Sequence, residues 1–183
     1  MHRINVIGTS AAGKSTFCKR LAGALNLPHI ELDALNFEPG WIEVSPDIFR
    51  NKVAEAIAGG SWVVDGNYSI AREMVWPMAD TIIWLDYSFP LVLWRAIRRT
   101  FGRVITGEKC CNGNRESLRK ALSRESIIWW VIKTHHGRRK RFQKLLPELK
   151  TSNTEVVILR SPVAAEKWLS VRTESVRFQN TTR

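Results

Sequence analysis

The sequence predicts an α/β protein, with one parallel sheet covered by helices on both faces. Three observations carry this. Short apolar runs of strand length alternate with segments whose apolar residues recur at helical spacing. The runs end in turn-forming residues at Gly8, Asp33 and Asp65-Gly66, as strands of a wound sheet do. The run from Thr81 to Leu85 is apolar on both faces, as a central parallel strand requires.

The elements follow in order. Residues 3–7 read as the first strand. From Lys14 to Leu25, Phe17, Leu21, Ala24 and Leu25 mark a helix, and Pro28 closes the unit. His29 to Leu32 read as the second strand. Residues 34–44 read as irregular, with Pro39-Gly40 as a turn. Ser45 as N-cap and Pro46 at the first helical position start a helix that runs to about Ala58, where Gly59-Gly60 stop it. Trp62 to Val64 form a third strand, residues 69–75 a short helix, and Thr81 to Leu85 the fourth strand. A helix from Pro90 to about Phe101 carries Arg95, Arg98 and Arg99. Residues 102–114 are Gly-rich and polar. A helix over about 116–134 leads through Gly137 into Arg138-Arg139-Lys140-Arg141. Glu155 to Leu159 form the fifth strand and Ala164 to Val171 the last helix. The alternation breaks over 102–150, a basic helical insertion between the fourth and fifth strands. One domain covers 1–171, and the polar tail 172–183 is expected to fray.

Composition narrows the class. The chain has 183 residues, 44% of them hydrophobic, enough for one domain with a real core. No apolar run approaches a membrane span, and the start lacks a signal-peptide layout. The three cysteines, Cys18, Cys110 and Cys111, make no even disulfide framework. A cytoplasmic protein with free thiols is expected. The eight tryptophans are assigned mostly to the core. Net charge is +11, yet residues 95–144 alone carry 15 of the 28 Lys/Arg and 3 of the 17 Asp/Glu. A positive field this concentrated attracts phosphate, whether of a nucleotide, a metabolite or a nucleic acid.

The sharpest motif says which. Gly8-Thr9-Ser10-Ala11-Ala12-Gly13-Lys14-Ser15 fits G-x-x-x-x-G-K-[ST], the Walker A pattern, between a strand and a helix. Chance alone produces such a match in under about 1% of chains this long. Its glycines let the backbone wrap an anion, so that N–H groups at a helix N-terminus point at phosphate. Gly8, Ser10, Ala11, Ala12, Gly13, Lys14, Ser15 and Thr16 are the expected ATP-binding residues. Lys14 would reach the β- and γ-phosphates, and the Ser15 hydroxyl would ligate Mg²⁺.

With the motif at residue 8, the chain resembles the nucleoside monophosphate kinases and their relatives, the small P-loop kinases. The resemblance spans about residues 3–170. Trp62-Val-Val-Asp-Gly-Asn-Tyr68 and Gly113-Asn-Arg-Glu-Ser117 look like the adenylate-kinase-related proteins called DNA topology modulation proteins. The resemblance implies a P-loop three-layer sandwich with a five-stranded parallel sheet in order 2-3-1-4-5. It also implies an acceptor-binding segment, here 33–60, and a lid, here 102–150.

It assigns roles as well. Asp65, at the end of the third strand, would face the phosphate loop and hold a Mg²⁺-bound water. Family members follow Asp-Gly with an aromatic, Pro and Arg; this chain has Asn67-Tyr68, and Arg72 is the nearest substitute. Asp33 would bind an acceptor hydroxyl and help deprotonate it. An Asp at either place also serves as a turn cap. Lid arginines would stabilise the charge that phosphoryl transfer spreads. Arg95, Arg99 and Arg103 match one arm, Arg138 and Arg141 the other, with Arg115 between. Arg99 and Arg138 are assigned to catalysis, Arg95 and Arg141 to ATP. Asp86 is read as structural. Trp41 is a candidate for the acceptor pocket, and Arg160, Ser161 and Pro162 fall where the family contacts adenine. Zinc-bearing lids need spaced ligand pairs, which the vicinal Cys110-Cys111 lacks.

The expected activity is therefore an ATP- and Mg²⁺-dependent phosphotransferase, adenylate-kinase-like, acting on a nucleotide or another small-molecule acceptor. The adenylate kinase Thr-Gly is missing between 33 and 60, and Arg50 is the only Arg there. Two alternatives stand: a nucleotide-regulated nucleic-acid-binding ATPase using 95–144 with Trp129-Trp130, and an NTPase switch without an acceptor.

Overall fold

The computed structural model describes residues 1–106, 109–110, 114–115, 126–149 and 154–181, with backbone alone at 109–110, 114–115 and 174–181. Five strands form a parallel sheet: β1 (Arg3–Gly8), β2 (His29–Glu31), β3 (Trp62–Asp65), β4 (Thr81–Leu85) and β5 (Glu155–Leu159). Their order is β2-β3-β1-β4-β5, the order the resemblance implies. The helices are α1 (Lys14–Leu25), α2 (Leu32–Asn36), α3 (Pro46–Ile57), α4 (Ser69–Val75), α5 (Phe89–Thr106), α6 (Ile127–Leu149) and α7 (Pro162–Thr181).

The central strands are mainly apolar because successive side chains serve opposite layers. Ile4, Val6, Val63, Ile83 and Leu85 enter one core with Phe17, Cys18 and Leu21 of α1 and Leu169 of α7. Their neighbours Ile7, Trp62, Val64, Ile82 and Trp84 enter the other, against Phe49 and Val53 of α3 and Phe142 and Leu146 of α6. Asn5, a polar residue of β1, is buried with both ends of its amide used. Its Nδ2 donates to the Val64 and Gly66 carbonyls at 3.0 and 3.2 Å, and its Oδ1 accepts from Trp76 Nε1 at 2.9 Å. A buried amide left unpaired would cost more than an apolar residue.

Several boundaries follow the capping chemistry. Ser45 Oγ accepts from the Ile48 amide at 3.3 Å at the start of α3, and Ser161 Oγ from Ala164 at 3.1 Å at the start of α7. Asn26, at φ 53°, ends α1.

Elsewhere the structure departs from the sequence reading. Residues 34–44 are not irregular. They hold the end of α2, a single turn too short for a periodic signal, and an antiparallel pairing of Phe37–Glu38 with Ile42–Glu43. Gly137 does not interrupt α6. Val131, His135, Phe142 and Leu146 are all buried along that helix, and this packing outweighs the roughly 1 kcal/mol that Gly costs a helix. Residues 116–125 of the expected helix lie outside the described residues. The last helix continues past Val171 to Thr181. Trp62, Trp76 and Trp84 are core residues, but Trp94, Trp129 and Trp130 are exposed. Arg98 and Arg138 stack over Trp94 and Trp130 at 5.4 and 5.2 Å. Among the described residues no helix is long and apolar enough to cross a membrane.

The base of the sheet is tied by Asp80. Its Oδ2 accepts from the His2 and Arg3 amides at 2.7 and 2.9 Å, and its Oδ1 from Thr81 Oγ1 at 2.8 Å. Burial pushes its carboxyl up, but these donors outweigh that and hold it below the ordinary value. The folded state therefore binds this proton more weakly than the unfolded chain. The stabilisation is present above about pH 4 and is lost as pH falls through the depressed value. Asp80→Ala should lower stability by about 1–3 kcal/mol at pH 7. Urea unfolding should show a smaller difference at pH 3.

Candidate active site

The site is built at the carboxyl ends of the parallel strands. β1 ends at Gly8, which pairs with Leu85 of β4. A Cβ on Gly8 would stand 3.0 Å from the Leu85 carbonyl oxygen, so only glycine lets the loop leave the sheet here. Ala11 and Gly13 then take φ of 64° and 91°. A Cβ on Gly13 would meet Arg95 Nη1 at 3.3 Å. The loop is closed by the Ala12 amide donating to the Thr9 carbonyl at 3.1 Å. No side chain caps α1 at Gly13, so its first N–H groups face the loop interior. Lys14 Nζ donates to Thr9 O at 3.3 Å. This is a cradle with uncommitted donors, and it fits a polyphosphate.

Two acids converge on it. Asp65 ends β3 opposite Val6 of β1 and Glu31 of β2. It is buried, at 6% exposure. Burial pushes its carboxyl up, while the Lys14 charge and a hydrogen bond from the Ser15 hydroxyl pull it down. Ser15 and Asp65 together form the hard oxygen pair that Mg²⁺ prefers. Asp33 lies in the first turn of α2, one step beyond the expected strand end. It accepts from Tyr68 Oη at 2.7 Å. Burial, then the Asp33 charge, push the Tyr68 phenol well above its usual value, so Tyr68 stays a donor. Phe49 packs edge-on against the Tyr68 ring at 5.2 Å. Lys14 itself is lowered by burial, with Asp65 and Asp33 pulling it back up.

The arginines divide. Arg95 Nη1 donates to the Ala12 carbonyl at 3.0 Å and its guanidinium lies 5.5 Å over the Tyr87 ring. Arg138 is half-buried; burial lowers its value while Tyr68 and Asp33 raise it. Arg99 and Arg103 continue the Arg95 face of α5, half-buried. Arg141 is exposed one turn beyond Arg138. Arg72 is not drawn into the site: it stacks on Trp76 at 5.3 Å. Together with Arg3 and Asp80 it lines a cavity of about 530 Å³ at the other end of the sheet. Trp41, at φ 63°, packs edge-on against Phe37 at 5.6 Å. Pro162 opens α7. The side chains of Cys110, Cys111 and Arg115 lie outside the described residues.

Two contacts were not legible in the sequence. One is the Tyr68–Asp33 hydrogen bond. The other is Arg139, whose Nε and Nη2 donate to buried Asp86 at 2.8 and 3.1 Å. The pair, together with His135 Nε2 at 3.1 Å from the Tyr87 carbonyl, pins α6 across the end of β4. The structural role read for Asp86 is what the geometry shows.

No family model matches the chain, and no curated protein is found similar to it in sequence. Solved structures share its fold. Shikimate kinase from Bacteroides thetaiotaomicron aligns with a TM-score of 0.57 at 15% identity, over 96% of this chain and 98% of that one. Shikimate kinase from Aquifex aeolicus gives 0.53 at 16%, over 95% and 98%. A gluconokinase from Sinorhizobium meliloti gives 0.50 at 20%, over 97% of each chain. The fold is that of the small P-loop kinases.

Two stability measurements separate framework from site. Arg139→Ala strands the buried Asp86 carboxylate and should cost about 1–3 kcal/mol, whereas Arg138→Ala should leave the melting temperature nearly unchanged. Asp65 behaves in the opposite sense to Asp80. Its raised value means that its ionisation opposes folding above about pH 4, in full once pH exceeds the raised value. In chelator-treated protein Asp65→Asn should therefore stabilise the fold by about 0.5–2 kcal/mol at pH 7. Urea titration should show that gain vanish toward pH 4.

Proposed function

We propose that this protein is an ATP- and Mg²⁺-dependent phosphotransferase that moves the γ-phosphoryl of ATP to a hydroxyl of a small-molecule acceptor. One observation carries the reading: Lys14, Asp65 and Asp33 gather at one phosphate loop, with Tyr68 holding Asp33 in place. Gly8 to Thr16 and Arg95 would take the ATP phosphates, and Ser15 with Asp65 would hold Mg²⁺, which when bound neutralises phosphate charge. Asp33 would accept the acceptor's hydroxyl proton as its oxygen bonds to the γ-phosphorus and ADP leaves with the electron pair. Lys14 and Arg138, with Arg99 and Arg141 on closure, would stabilise the transferring group. The free, buried Cys18 thiol fits the cytoplasmic setting expected from the sequence.

The acceptor would lie between residues 33–60 and the end of β3. The fold neighbours are named for shikimate and gluconate, which supports a hydroxylated metabolite beside the nucleotide that the adenylate-kinase-like pattern suggests. A second reading has its own support. Exposed Trp94, Trp129 and Trp130, two of them under arginines, suit stacking against single-stranded nucleic acid.

The test is ADP release from MgATP across nucleoside monophosphates, nucleosides and hydroxylated metabolites. One acceptor should stimulate strongly. Lys14→Ala should abolish the stimulation. Asp33→Asn should cut kcat by about 10²–10⁴ and leave ATP binding intact. No stimulation by any acceptor, with ATP-independent DNA binding of log–log salt slope steeper than about −4, would move the assignment to the nucleic-acid reading.

A further inference from the structure

Behind the phosphate loop lies a second cluster, which joins Asp65 to two side chains that phosphoryl transfer does not use. Cys18 of α1, His29 of β2 and Asp65 of β3 each place one potential ligand atom within 4.8 Å of the other two. Cys18 is a free thiol with no solvent exposure. The His29 ring turns Nδ1 toward the Glu31 carboxylate at 3.7 Å. Its Nε2 is buried and has no hydrogen-bond partner. A buried ring nitrogen without a partner is uncommon and calls for one.

We propose that Cys18, His29 and Asp65 form a binding site for a thiophilic divalent cation of the Zn²⁺ class, sharing Asp65 with the Mg²⁺ position of the phosphate loop. The donor set selects the metal. Sulfur and imidazole suit Zn²⁺, whereas Mg²⁺ and Ca²⁺ take oxygen ligands. Zn²⁺ holds its ligands at about 2.0–2.3 Å, so tetrahedral neighbours stand ~3.3–3.6 Å apart. From separations of up to 4.8 Å the cluster needs to close by at most about 1.5 Å, within reach of side-chain rotation. Glu31, whose carboxylate lies 3.7 Å from Nδ1, stands where an outer carboxylate orients a metal-bound imidazole, with Nε2 left for the metal.

Access is from the sheet edge. β2 is an edge strand, and the His29 side chain is 16% exposed while the other two ligands are buried. Binding exchanges the Cys18 thiol proton, released to solvent, for a sulfur–metal bond, and nothing is oxidised or reduced. Three protein ligands leave a fourth position for water. The bound metal would draw Asp65 away from Ser15 and Lys14 and so oppose MgATP. That competition rests on the reading of Asp65 given under Proposed function; the metal site itself does not.

The probe is Co²⁺, in the Cys110→Ser/Cys111→Ser protein, where Cys18 is the only thiol left of three. One Co²⁺ per chain should bind, with thiolate-to-cobalt charge-transfer absorption in the near ultraviolet. Cys18→Ala should remove that band. His29→Gln, at a partly exposed position that should leave the fold intact by circular dichroism, should weaken binding at least ~10-fold. A folded protein with no thiolate band, or a band whose affinity His29→Gln leaves unchanged, overturns the site. Zn²⁺ should weaken MgATP binding in the parent by about tenfold or more, and not in His29→Gln. An intact cobalt band without this competition overturns the shared use of Asp65. Failure of MgATP to bind at all counts against the phosphotransfer reading, and the cobalt spectrum still decides the site.

Discussion

The parallel register of the sheet is the constraint on which the rest depends. Because all five strands run the same way, their carboxyl ends open on one edge, and what each chain segment carries there is brought together. β1 delivers Gly8 and the phosphate loop, β3 delivers Asp65, and β2 delivers Asp33 one turn later. An antiparallel neighbour would send its acid to the opposite edge, some five residues away. Ligands of open α/β sheets bind at this edge for the same reason. The apolar cores on both faces are therefore what makes the polar site: they fix the register, and the register fixes the acids.

That gathering has an electrostatic consequence. A lysine and two carboxylates share a partly dehydrated space, and each changes the others. Burial depresses Lys14 while Asp65 and Asp33 lift it; burial lifts Asp65 while Lys14 lowers it. Without its acids, Lys14 would be a buried ammonium with only a carbonyl at 3.3 Å. Without its lysine, Asp65 would be a buried charge in a hydrophobic layer. The set is kept in balance by its own opposite charges. The basic α6 obeys the same logic. Arg139 is spent on Asp86, which fixes the helix, and Arg138 on the next position is thereby held toward Tyr68 and Asp33.

How much of this was legible depends on sequence distance. The phosphate loop lies within eight consecutive residues with its flanking strand and helix, so residue type alone reported it. Asp33 and Asp65 were reachable because they end apolar runs, although Asp33 proved to sit in α2 and not on the strand. The Tyr68–Asp33 contact joins residues 35 apart, and Arg139–Asp86 joins residues 53 apart. Neither has a local pattern. The helix expected to end at about 134 continues to Leu149 because helix propensity is a weak local term, and the packing of Val131, Phe142 and Leu146 carries it through Gly137. The exposed tryptophans were misread for the related reason that helical spacing marks a face without saying what covers it.

Asp65 is where these arguments meet. Its register position turns one carboxylate toward three different demands: the Lys14 ammonium and Ser15 hydroxyl on the loop side, the acid Asp33 across the site, and Cys18 with His29 behind. A hard ion that keeps its waters would leave the buried sulfur and imidazole idle, whereas a thiophilic ion would engage all three ligands and draw the carboxylate from the loop. The choice follows from coordination chemistry, because the oxygen pair Ser15–Asp65 and the mixed set Cys18–His29–Asp65 differ in every ligand but one. Asp65, whose ionisation opposes folding, stands at the point that the loop, the acceptor side and the sheet edge have in common.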